Sequence, residues 1–334
     1  MGKDDVSIRE ISKLTGVSIA TVSRVINQNG RFSRETEEKV RKALEETGYT
    51  PNLAARSLRT KRIPTVGVIV PDITNEFFAR ITLELQNRLF DFNYSTIICN
   101  TNEINYIEQR HLLMLRSQQV SGIVYISGAF SGDREILDLP TVYIDRKPPF
   151  TSEHKDYLLI ESDNFDGGYI AGREMLDEGC QRLCMIKYKN EISSHNDREA
   201  GFLKAVHERG IDLLPGSILT VNDVSVESGY RATMELINGI KPDGIFCSTD
   251  LLAVGAINAL LESGLKVPEA VKVVGFDDTS IAANSRIPIT SLQQPIQEIG
   301  RLAAQNIVNM MESPQEQDGR QIKLPVKLIK RSST

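Results

Sequence analysis

Hydrophobic residues near the start of the chain recur at helical spacing, in three short segments separated by turns. Ser7 and Glu10 form a capping box at the first predicted helix, which ends before Gly16. A second helix is predicted from about residue 19 to 26, and a third begins after Ser33. Two short helices joined by a brief glycine-containing turn are typical of a helix-turn-helix unit. The pattern therefore predicts a small all-α head.

From Thr65 onward the pattern changes to strand-length apolar runs that alternate with helical stretches. The predicted strands are 66–70, 95–99, 122–126, 141–144, 158–160, 183–188, 217–221, 244–247 and 271–276. The predicted helices between them are 77–92, 105–118, 168–178, 199–209, 228–237 and 251–263. Such alternation favours parallel sheets with helices on both faces, and two sets of strands indicate two lobes. Since ligands of open α/β sheets bind beyond the carboxyl ends of the strands, we expect a site in the cleft between the lobes.

Composition narrows the class of protein. Hydrophobic residues make up 40% of the chain and charged residues 25%, which is ordinary for a soluble globular protein. The charged N-terminus does not resemble a signal peptide, and the apolar runs fall far short of the roughly 20 residues of a membrane span. We therefore expect a cytoplasmic protein with no membrane partner. Four scattered cysteines and four histidines match no metal-ligand spacing, so we expect no metal site.

An enzyme is the main competing class of function. No dinucleotide-binding glycine motif follows the first predicted strand, where Gly67 stands alone, and the chain has no phosphate loop or nucleophile elbow. Abundant carboxylates could supply an acid–base pair, but no spacing singles one out. We therefore expect no cofactor and no catalytic residue, and a sugar-processing enzyme stays as an alternative.

Charge is concentrated at one end of the chain. Residues 1–62 hold thirteen Lys and Arg residues against eight Asp and Glu, a net charge of +5, so the remainder carries −10. A basic end on an acidic body suggests a polyanion as the partner of that end, whereas a sugar receptor that does not bind DNA would lack it. A solvated basic surface is the alternative that charge alone leaves open.

If the head binds DNA, its second helix enters the major groove and the first residues of that helix reach base edges. Ile19 and Ala20 can contact thymine methyl groups, and Arg24 can donate two hydrogen bonds to guanine. Short polar side chains nearby are suited to phosphate groups, which fix the register without reading sequence. These candidate phosphate contacts are Ser18, Thr21, Ser23 and Asn27.

The head and the segment after it resemble the lactose-repressor/galactose-repressor family of transcription regulators. The similarity lies in VSIATVSRVIN at 17–27, GYTPN at 48–52 and AARSLR at 54–59. This resemblance implies a helix-turn-helix DNA-binding head at 1–50, a hinge helix and linker at 51–63, and a body at 64–334 that binds ligand and dimerises. It also implies that residues 52–58 form a short helix in the minor groove, with Leu58 as the apolar wedge that kinks the DNA. The hinge residues expected at DNA are Asn52, Ala55, Arg56 and Leu58.

The body resembles the periplasmic sugar-binding proteins, whose fold this repressor family shares. The matching strings are PDITNEFF at 71–78, SDNFDGG at 162–168 and GFDD at 275–278. In these relatives the chain crosses repeatedly between two Rossmann-like lobes, which implies crossings near Asp163, Thr290 and Gln321. The N-terminal lobe is thus expected at about 64–163 and 291–320, and the C-terminal lobe at about 164–290 and 321–334.

The same resemblance implies a ribose-type cavity in the cleft. Phenyl rings can cover the C–H faces of a sugar ring, while amide, carboxylate and guanidinium groups bond its hydroxyls. The corresponding residues are Asn75, Phe77, Phe78, Asp145, Arg146, Arg198, Asp277 and Gln293, with Thr249 where many sugar binders carry asparagine. Phe77 and Phe78 could instead belong to the core. Asp145 and Arg146 could form a structural ion pair after a strand. Val224 stands where most relatives carry an aromatic residue, which disfavours a purine and favours a small sugar or sugar phosphate.

By the family resemblance, the partners are operator DNA and a second copy of the chain. We expect a sequence-specific repressor that binds a near-palindromic duplex as a homodimer, with half-sites about one helical turn apart. Its dimer surface is expected on the N-terminal lobes, and the ligand in the cleft is expected to control its operator binding. Release of DNA by the sugar is the favoured mode. A regulator of the same fold that needs a corepressor or a phosphocarrier protein is the alternative.

Overall fold

The described part of the protein falls into two compact units, residues 1–63 and 64–334. The structure, a computed structural model, describes residues 6–26, 30–49, 63–126, 139–147, 158–188, 192–313 and 320–334. Some of the residues predicted to contact DNA lie outside the described residues. These are Asn27, Asn52, Ala55, Arg56 and Leu58.

The described residues of the N-terminal unit form three short helices, as their hydrophobic spacing predicts. They are α1 (Ile8–Thr15), α2 (Ile19–Ile26) and α3 (Arg34–Thr47). The predicted capping box forms at α1, where the Ser7 hydroxyl accepts from the backbone N–H of Glu10 and the Glu10 carboxylate accepts from that of Ser7. Gly16 follows in the left-handed region, with φ of +66°, and turns the chain toward α2. The helices enclose a small core of Ile11, Val22, Val25 and Val40.

The body unit alternates strands and helices that build two sheets. Its elements are β1 (Ile63–Val70), α4 (Glu76–Asp91), β2 (Ser95–Asn100), α5 (Asn105–Ser117), β3 (Val120–Ile126), β4 (Thr141–Ile144), β5 (Leu158–Ser162), α6 (Asn164–Asp177), β6 (Leu183–Tyr188), α7 (Ser193–Glu208), β7 (Ile218–Val221), α8 (Val226–Gly239), β8 (Gly244–Cys247), α9 (Asp250–Glu262), β9 (Lys272–Asp277), α10 (Ser280–Asn284), β10 (Thr290–Gln293), α11 (Ile296–Glu312), β11 (Arg320–Leu324) and β12 (Lys327–Ile329). The N-terminal lobe holds the sheet β11-β5-β4-β3-β1-β2, and the C-terminal lobe holds β12-β10-β9-β8-β6-β7. Strand pairs with a described register are parallel, except β10 with β12. The predicted fold class, a helical head with a two-lobed α/β body, is confirmed.

The described chain crosses from one sheet to the other in three places. The first crossing follows β5 at Asp163. The other two follow Gln293 and Leu324. Each lies three residues after the position near which it was predicted, Thr290 and Gln321. The reason is that β10 extends the C-terminal sheet by pairing with β9, and β11 extends the N-terminal sheet by pairing with β5.

Both faces of the C-terminal sheet are covered, because successive strand residues point into different cores. Met185 and Phe246 pack with α6 and α7, whereas Ile186 and Ile245 pack with α8 and α9. In the N-terminal lobe, α11 packs on the sheet, although the sequence pattern left this helix unassigned. Among the described helices, none combines the length and the hydropathy that a membrane span requires. The described residues also hold no cluster of three or more His, Cys, Asp or Glu side chains that could bind a metal ion.

Candidate ligand-binding site

A cavity of about 630 Å³ lies between the two lobes of the body. Its volume is within the range of about 300–1,000 Å³ that is usual for small-molecule sites. The lining comes from segments that begin at the carboxyl ends of strands in both sheets, which is where ligands bind in open α/β folds. A second cavity of about 400 Å³ shares part of this lining and extends along Glu76 and Ser280.

Eight of the nine predicted ligand residues line the first cavity. They are Asn75, Phe77, Phe78, Asp145, Arg146, Arg198, Thr249 and Asp277. Gln293 is not among the lining residues, and its Nε2 donates to Asp278 Oδ2 at 2.7 Å. The neighbouring Gln294 is buried and donates to Asp277 Oδ1 at 2.7 Å. Gln293 therefore lies outside the lining, and Gln294, which does not line the cavity either, reaches it only through its bond to Asp277.

Gln294 also connects two of the crossings between the lobes. Its Oε1 accepts from the Ser162 hydroxyl at 2.6 Å, at the end of β5, while Gln294 itself follows β10. Through the bond from Gln294 to Asp277, these crossings are tied to the floor of the cavity. A ligand that contacts Asp277 is therefore connected, through hydrogen bonds, to two of the segments that join the lobes.

Arg198 is the most completely buried cation of the cavity, with 2% exposure. Its Nε donates to Asn164 Oδ1 at 2.8 Å and its Nη1 donates to the carbonyl of Ser248 at 2.6 Å. Asp277 Oδ1 lies 3.7 Å from the same Nη1, and the guanidinium stacks 3.6 Å from the centre of the Phe276 ring. The helix α7 begins at Ser193 rather than near 199, so Arg198 projects from a rigid helix.

Burial sets the protonation of two further groups in the cavity. It raises the pKa of Asp277, an effect that the positive charge of Arg198 opposes. Burial also lowers the pKa of His195, and the charges of Arg198, Arg146 and Lys187 lower it further, so the imidazole is neutral. The buried Nδ1 of His195 has no hydrogen-bond partner among the described residues, which leaves it for a ligand.

Two of the predicted polar residues begin helices at the rim of the cavity. Asn75 Oδ1 accepts from the backbone N–H of Phe77 at 3.0 Å, and Thr249 Oγ1 accepts from that of Leu252 at 3.4 Å. Both are N-caps, which explains the short polar side chain at each position. Phe77 and Phe78 line the cavity and also belong to the core of the N-terminal lobe. The two roles that the sequence offered for these rings, ligand contact and core packing, are therefore compatible.

Glu103 lines the cavity, although it is absent from the predicted set. Arg146 Nη2 donates to Glu103 Oε1 at 2.9 Å, whereas Arg146 Nε is 4.0 Å from Asp145. The close ion pair of Arg146 is therefore with Glu103, and the predicted structural pair with Asp145 is the more distant contact. The Tyr188 hydroxyl of the C-terminal lobe donates to Glu103 Oε2. Glu103 lies three residues after the end of β2, so the rule for strand ends could have found it.

The two lobes are also joined by polar contacts at both rims of the cleft. On one rim, Lys147 Nζ lies 3.0 Å from Asp197 Oδ2, and the Lys147 backbone N–H donates to the Ser193 hydroxyl at 3.0 Å. On the other rim, the backbone N–H of Ser280 donates to the Glu76 carboxylate at 2.9 Å. These contacts between the lobes are therefore made by residues adjacent in sequence to Arg146 and Asn75, which line the cavity.

The head presents a separate candidate interface on α2. Ser18, Ile19, Ala20 and Arg24 are exposed, and Thr21 is half-buried. Ile19 is 45% exposed even though it is apolar, while Val22 and Val25 on the opposite face are buried. Ser23 is half-buried as well. The outward face of α2 therefore carries the residues predicted to reach base edges and phosphates.

Comparison with known proteins identifies the family. A family model described as bacterial regulatory proteins, lacI family, matches residues 7–52, and one described as a periplasmic binding protein-like domain matches residues 173–334. Over 336 residues the chain is 33% identical to the HTH-type transcriptional regulator RegA of Clostridium saccharobutylicum, covering 98% of this chain and 99% of the relative. The chain belongs to the LacI family.

Other relatives of this LacI-family protein match over a similar length. The ribose operon repressor of Halalkalibacterium halodurans is 30% identical over 331 residues, covering 98% of this chain and 97% of that protein. Among solved structures, the lac repressor dimer bound to operator and the anti-inducer ONPF gives a TM-score of 0.81 at 25% identity, covering 99% of both chains. The resemblance inferred from the sequence is confirmed.

Proposed function

We propose that this LacI-family protein is a transcriptional repressor whose head binds operator DNA and whose cleft binds a small sugar that releases the DNA. The observation that carries the proposal is a cavity lined from both lobes in a chain that also has an exposed helix-turn-helix face on α2. The relatives are transcriptional regulators, and we propose that this chain has no enzymatic activity.

The head supports DNA binding through the chemistry of α2. Ile19 and Ala20 are placed at the start of the helix for thymine methyl groups, and Arg24 is placed one turn later for guanine. Ser18, Thr21 and Ser23 supply hydroxyls for phosphate groups. We propose that the hinge segment with Asn52, Ala55, Arg56 and Leu58, which lies outside the described residues, contacts the minor groove.

The lining of the cavity supports a sugar as the ligand. Phe77 and Phe78 offer ring faces to C–H groups, and the neutral His195 imidazole offers a nitrogen to a hydroxyl. A ligand that contacts both lobes stabilises one angle between the lobes over another. It shifts the equilibrium between these two conformations only by the difference between its affinities for them. That difference is the proposed signal to the hinge.

An apolar face of the N-terminal lobe supports a homodimer. Leu83 and Phe90 lie two turns apart on α4, and Tyr106 and Leu113 lie two turns apart on α5. Ile98 is on β2, the edge strand that contacts both helices. All five side chains are exposed, with Phe90 exposed by 78%. So many exposed apolar groups around one sheet edge are typical of an interaction surface, and we propose a second copy as its occupant.

The DNA-binding proposal is tested by selecting duplexes from a random pool with the full-length protein. We expect a near-palindromic duplex to be enriched, and Arg24→Ala to cost about 1–3 kcal/mol of the discrimination between that duplex and random DNA. Arg41→Ala is the matched control, because it removes the same charge from an exposed position on α3. Equal losses in both variants would exclude Arg24 from base recognition. Sugars added to the complex should release the DNA; tighter binding would indicate corepression.

The dimer is tested by placing a charge on the proposed surface. Phe90→Glu should convert the dimer to monomers in sedimentation velocity and weaken operator binding, because the two heads no longer act as one bivalent unit. Leu214→Glu is the control, since Leu214 is an exposed leucine of the C-terminal lobe with 52% exposure. A dimer that survives Phe90→Glu would place the interface elsewhere.

A further inference from the structure

The described lining of the cavity carries more negative than positive charge. Its two described cations are Arg146 and Arg198, and the His195 imidazole adds none because burial lowers its pKa. Its five carboxylates are Asp72, Glu103, Asp145, Asp223 and Asp277. With every carboxyl ionised the formal charge is −3, and it stays negative if the buried Asp277 is protonated. A negatively charged ligand therefore enters an unfavourable field.

Both arginines already donate to groups of the protein. Arg146 bonds Glu103 at 2.9 Å, and Arg198 bonds Asn164 and the carbonyl of Ser248 at 2.8 and 2.6 Å. Phosphate groups in proteins are bound by Arg, Lys or backbone N–H groups that are directed at them. No lysine in the described part of the chain lines this cavity. A phosphate ester at these arginines would therefore lie beside carboxylates that already neutralise them, Glu103 at Arg146 and Asp277 at 3.7 Å from Arg198.

Helix starts beside the cavity could in principle attract an anion, because their N–H groups carry partial positive charge. The starts of α5 and α7 have no side-chain cap. However, a carboxylate already stands near each of them. Glu103 comes just before α5, and Ser194 in the first turn of α7 donates to Asp145 at 3.3 Å. The helix starts therefore do not reverse the charge of the cavity.

Glu103 is fixed in the cavity from both lobes. Arg146 of the N-terminal lobe and the Tyr188 hydroxyl of the C-terminal lobe donate to its two carboxylate oxygens. Its backbone is in the left-handed region, with φ of +57°, and so is that of Asn102, with φ of +51°. Two successive non-glycine residues in this region cost conformational energy, which is typical of a functional site.

We propose that the effector is an uncharged polyhydroxylated molecule, and that Glu103 is the specificity-determining residue that rejects its phosphate esters. This inference rests on the proposed function and narrows the sugar or sugar phosphate expected from the sequence to the neutral class. Neutral groups that can bond hydroxyls also line the cavity. They include the amides of Asn75, Asn102 and Asn222 and the hydroxyls of Thr74 and Thr249.

The test on the wild-type protein compares neutral sugars with their own esters. Ribose, glucose, fructose and sucrose, each beside its monophosphate ester, are titrated calorimetrically into the full-length chain, with inorganic phosphate as a further probe. A sugar that binds should do so at least about tenfold more tightly than its ester. Inorganic phosphate should not compete with it.

Glu103→Gln tests the residue itself, because glutamine keeps the size of the side chain and removes its charge. The preference for the neutral sugar over its ester should fall by about tenfold. Glu208→Gln removes a charge at the far end of α7 and should leave this preference as it is. Tyr188→Phe removes the hydrogen bond from Tyr188 to Glu103, one of several contacts between the lobes, but keeps the charge of Glu103, so it should shift the affinities for sugar and ester together.

The outcomes separate this inference from the function on which it rests. An ester that binds the wild type as tightly as its sugar, or an equal loss of preference in Glu208→Gln, overturns the role of Glu103. If neither sugars nor esters bind and none affects operator binding, the proposed sugar-controlled function fails as well.

Discussion

Replacing Arg198 with methionine is expected to lower the free energy of unfolding by about 3–5 kcal/mol, the usual cost of removing one partner of a buried ion pair. Methionine keeps much of the volume, so the loss comes mainly from Asp277, which stays buried without the guanidinium 3.7 Å away. Urea denaturation of the full-length protein measures the effect. Release of operator DNA by the sugar should also be lost, since Arg198 lines the cavity.

The pH dependence of this deficit identifies its cause. Burial already raises the pKa of Asp277 in the folded wild type, and Arg198 opposes that rise. In Arg198→Met the folded-state pKa should rise further above its value of about 3.9 in the unfolded chain. A carboxyl with a raised folded-state pKa destabilises the fold as pH increases through that range. Because burial raises the wild-type pKa of Asp277 to about 8, the deficit should grow as pH increases above that value, and it should be larger at about pH 9 than at about pH 6.

A double variant separates charge from packing. Asp277→Asn in the Arg198→Met background removes the unpaired charge, and it should restore most of the lost stability, because replacing both partners of a buried pair is often neutral. It should not restore the response to sugar. A double variant as unstable as the single one would mean that the loss arises from the bonds to Asn164 and Ser248 or from the Phe276 stacking.

The strands and helices of the body were predictable because their signal is local. The strand β3 is buried along its whole length, and the predicted segment 122–126 lies inside it. The helix α11 was missed, although Ile296, Ile299, Ala303 and Ile307 recur at helical spacing. The helix α11 follows a crossing between the lobes. The lobe to which it belongs is decided by the pairing of strands that are distant in sequence. Hydrophobic spacing along the chain carries no information on that pairing.

The cavity was predicted in part because strand ends are visible in the sequence. The resemblance placed Arg198 and Asp277 there, whereas Glu103, Tyr188 and His195 were missed. Glu103 lies near a strand end, where the sequence could have indicated it, but no pattern within either segment encodes its contact with Tyr188 of the other lobe. The misplacement of Gln293 has a different cause. Gln293 ends β10 and donates to Asp278, and a position at the end of a strand does not by itself show on which side of the strand the side chain lies.

Two glycines bring α6 and α7 unusually close together in the C-terminal lobe. A Cβ atom at Gly168 would lie 1.9 Å from the carbonyl oxygen of Arg198, and one at Gly201 would lie 1.8 Å from the carbonyl oxygen of Phe165. Such distances are impossible for real atoms, so any side chain at these positions forces the helix backbones apart. Because Arg198 is on α7, the spacing of the two helices also sets its position in the cavity.

Gly168→Ala should therefore reduce both stability and ligand binding. The forced separation of α6 and α7 is expected to cost about 1–3 kcal/mol, and more if the backbones cannot relax. Sugar affinity should fall as well, because Arg198 moves away from Asp277 and from the ligand. Gly239→Ala is the matched control: it lies in α8 with no atom within 4 Å of the added Cβ. There the same substitution should leave stability unchanged or raise it by about 0.4–1 kcal/mol, since alanine restricts the unfolded chain. Equal thermal midpoints for both variants, with undiminished sugar affinity, would contradict the close packing of α6 against α7.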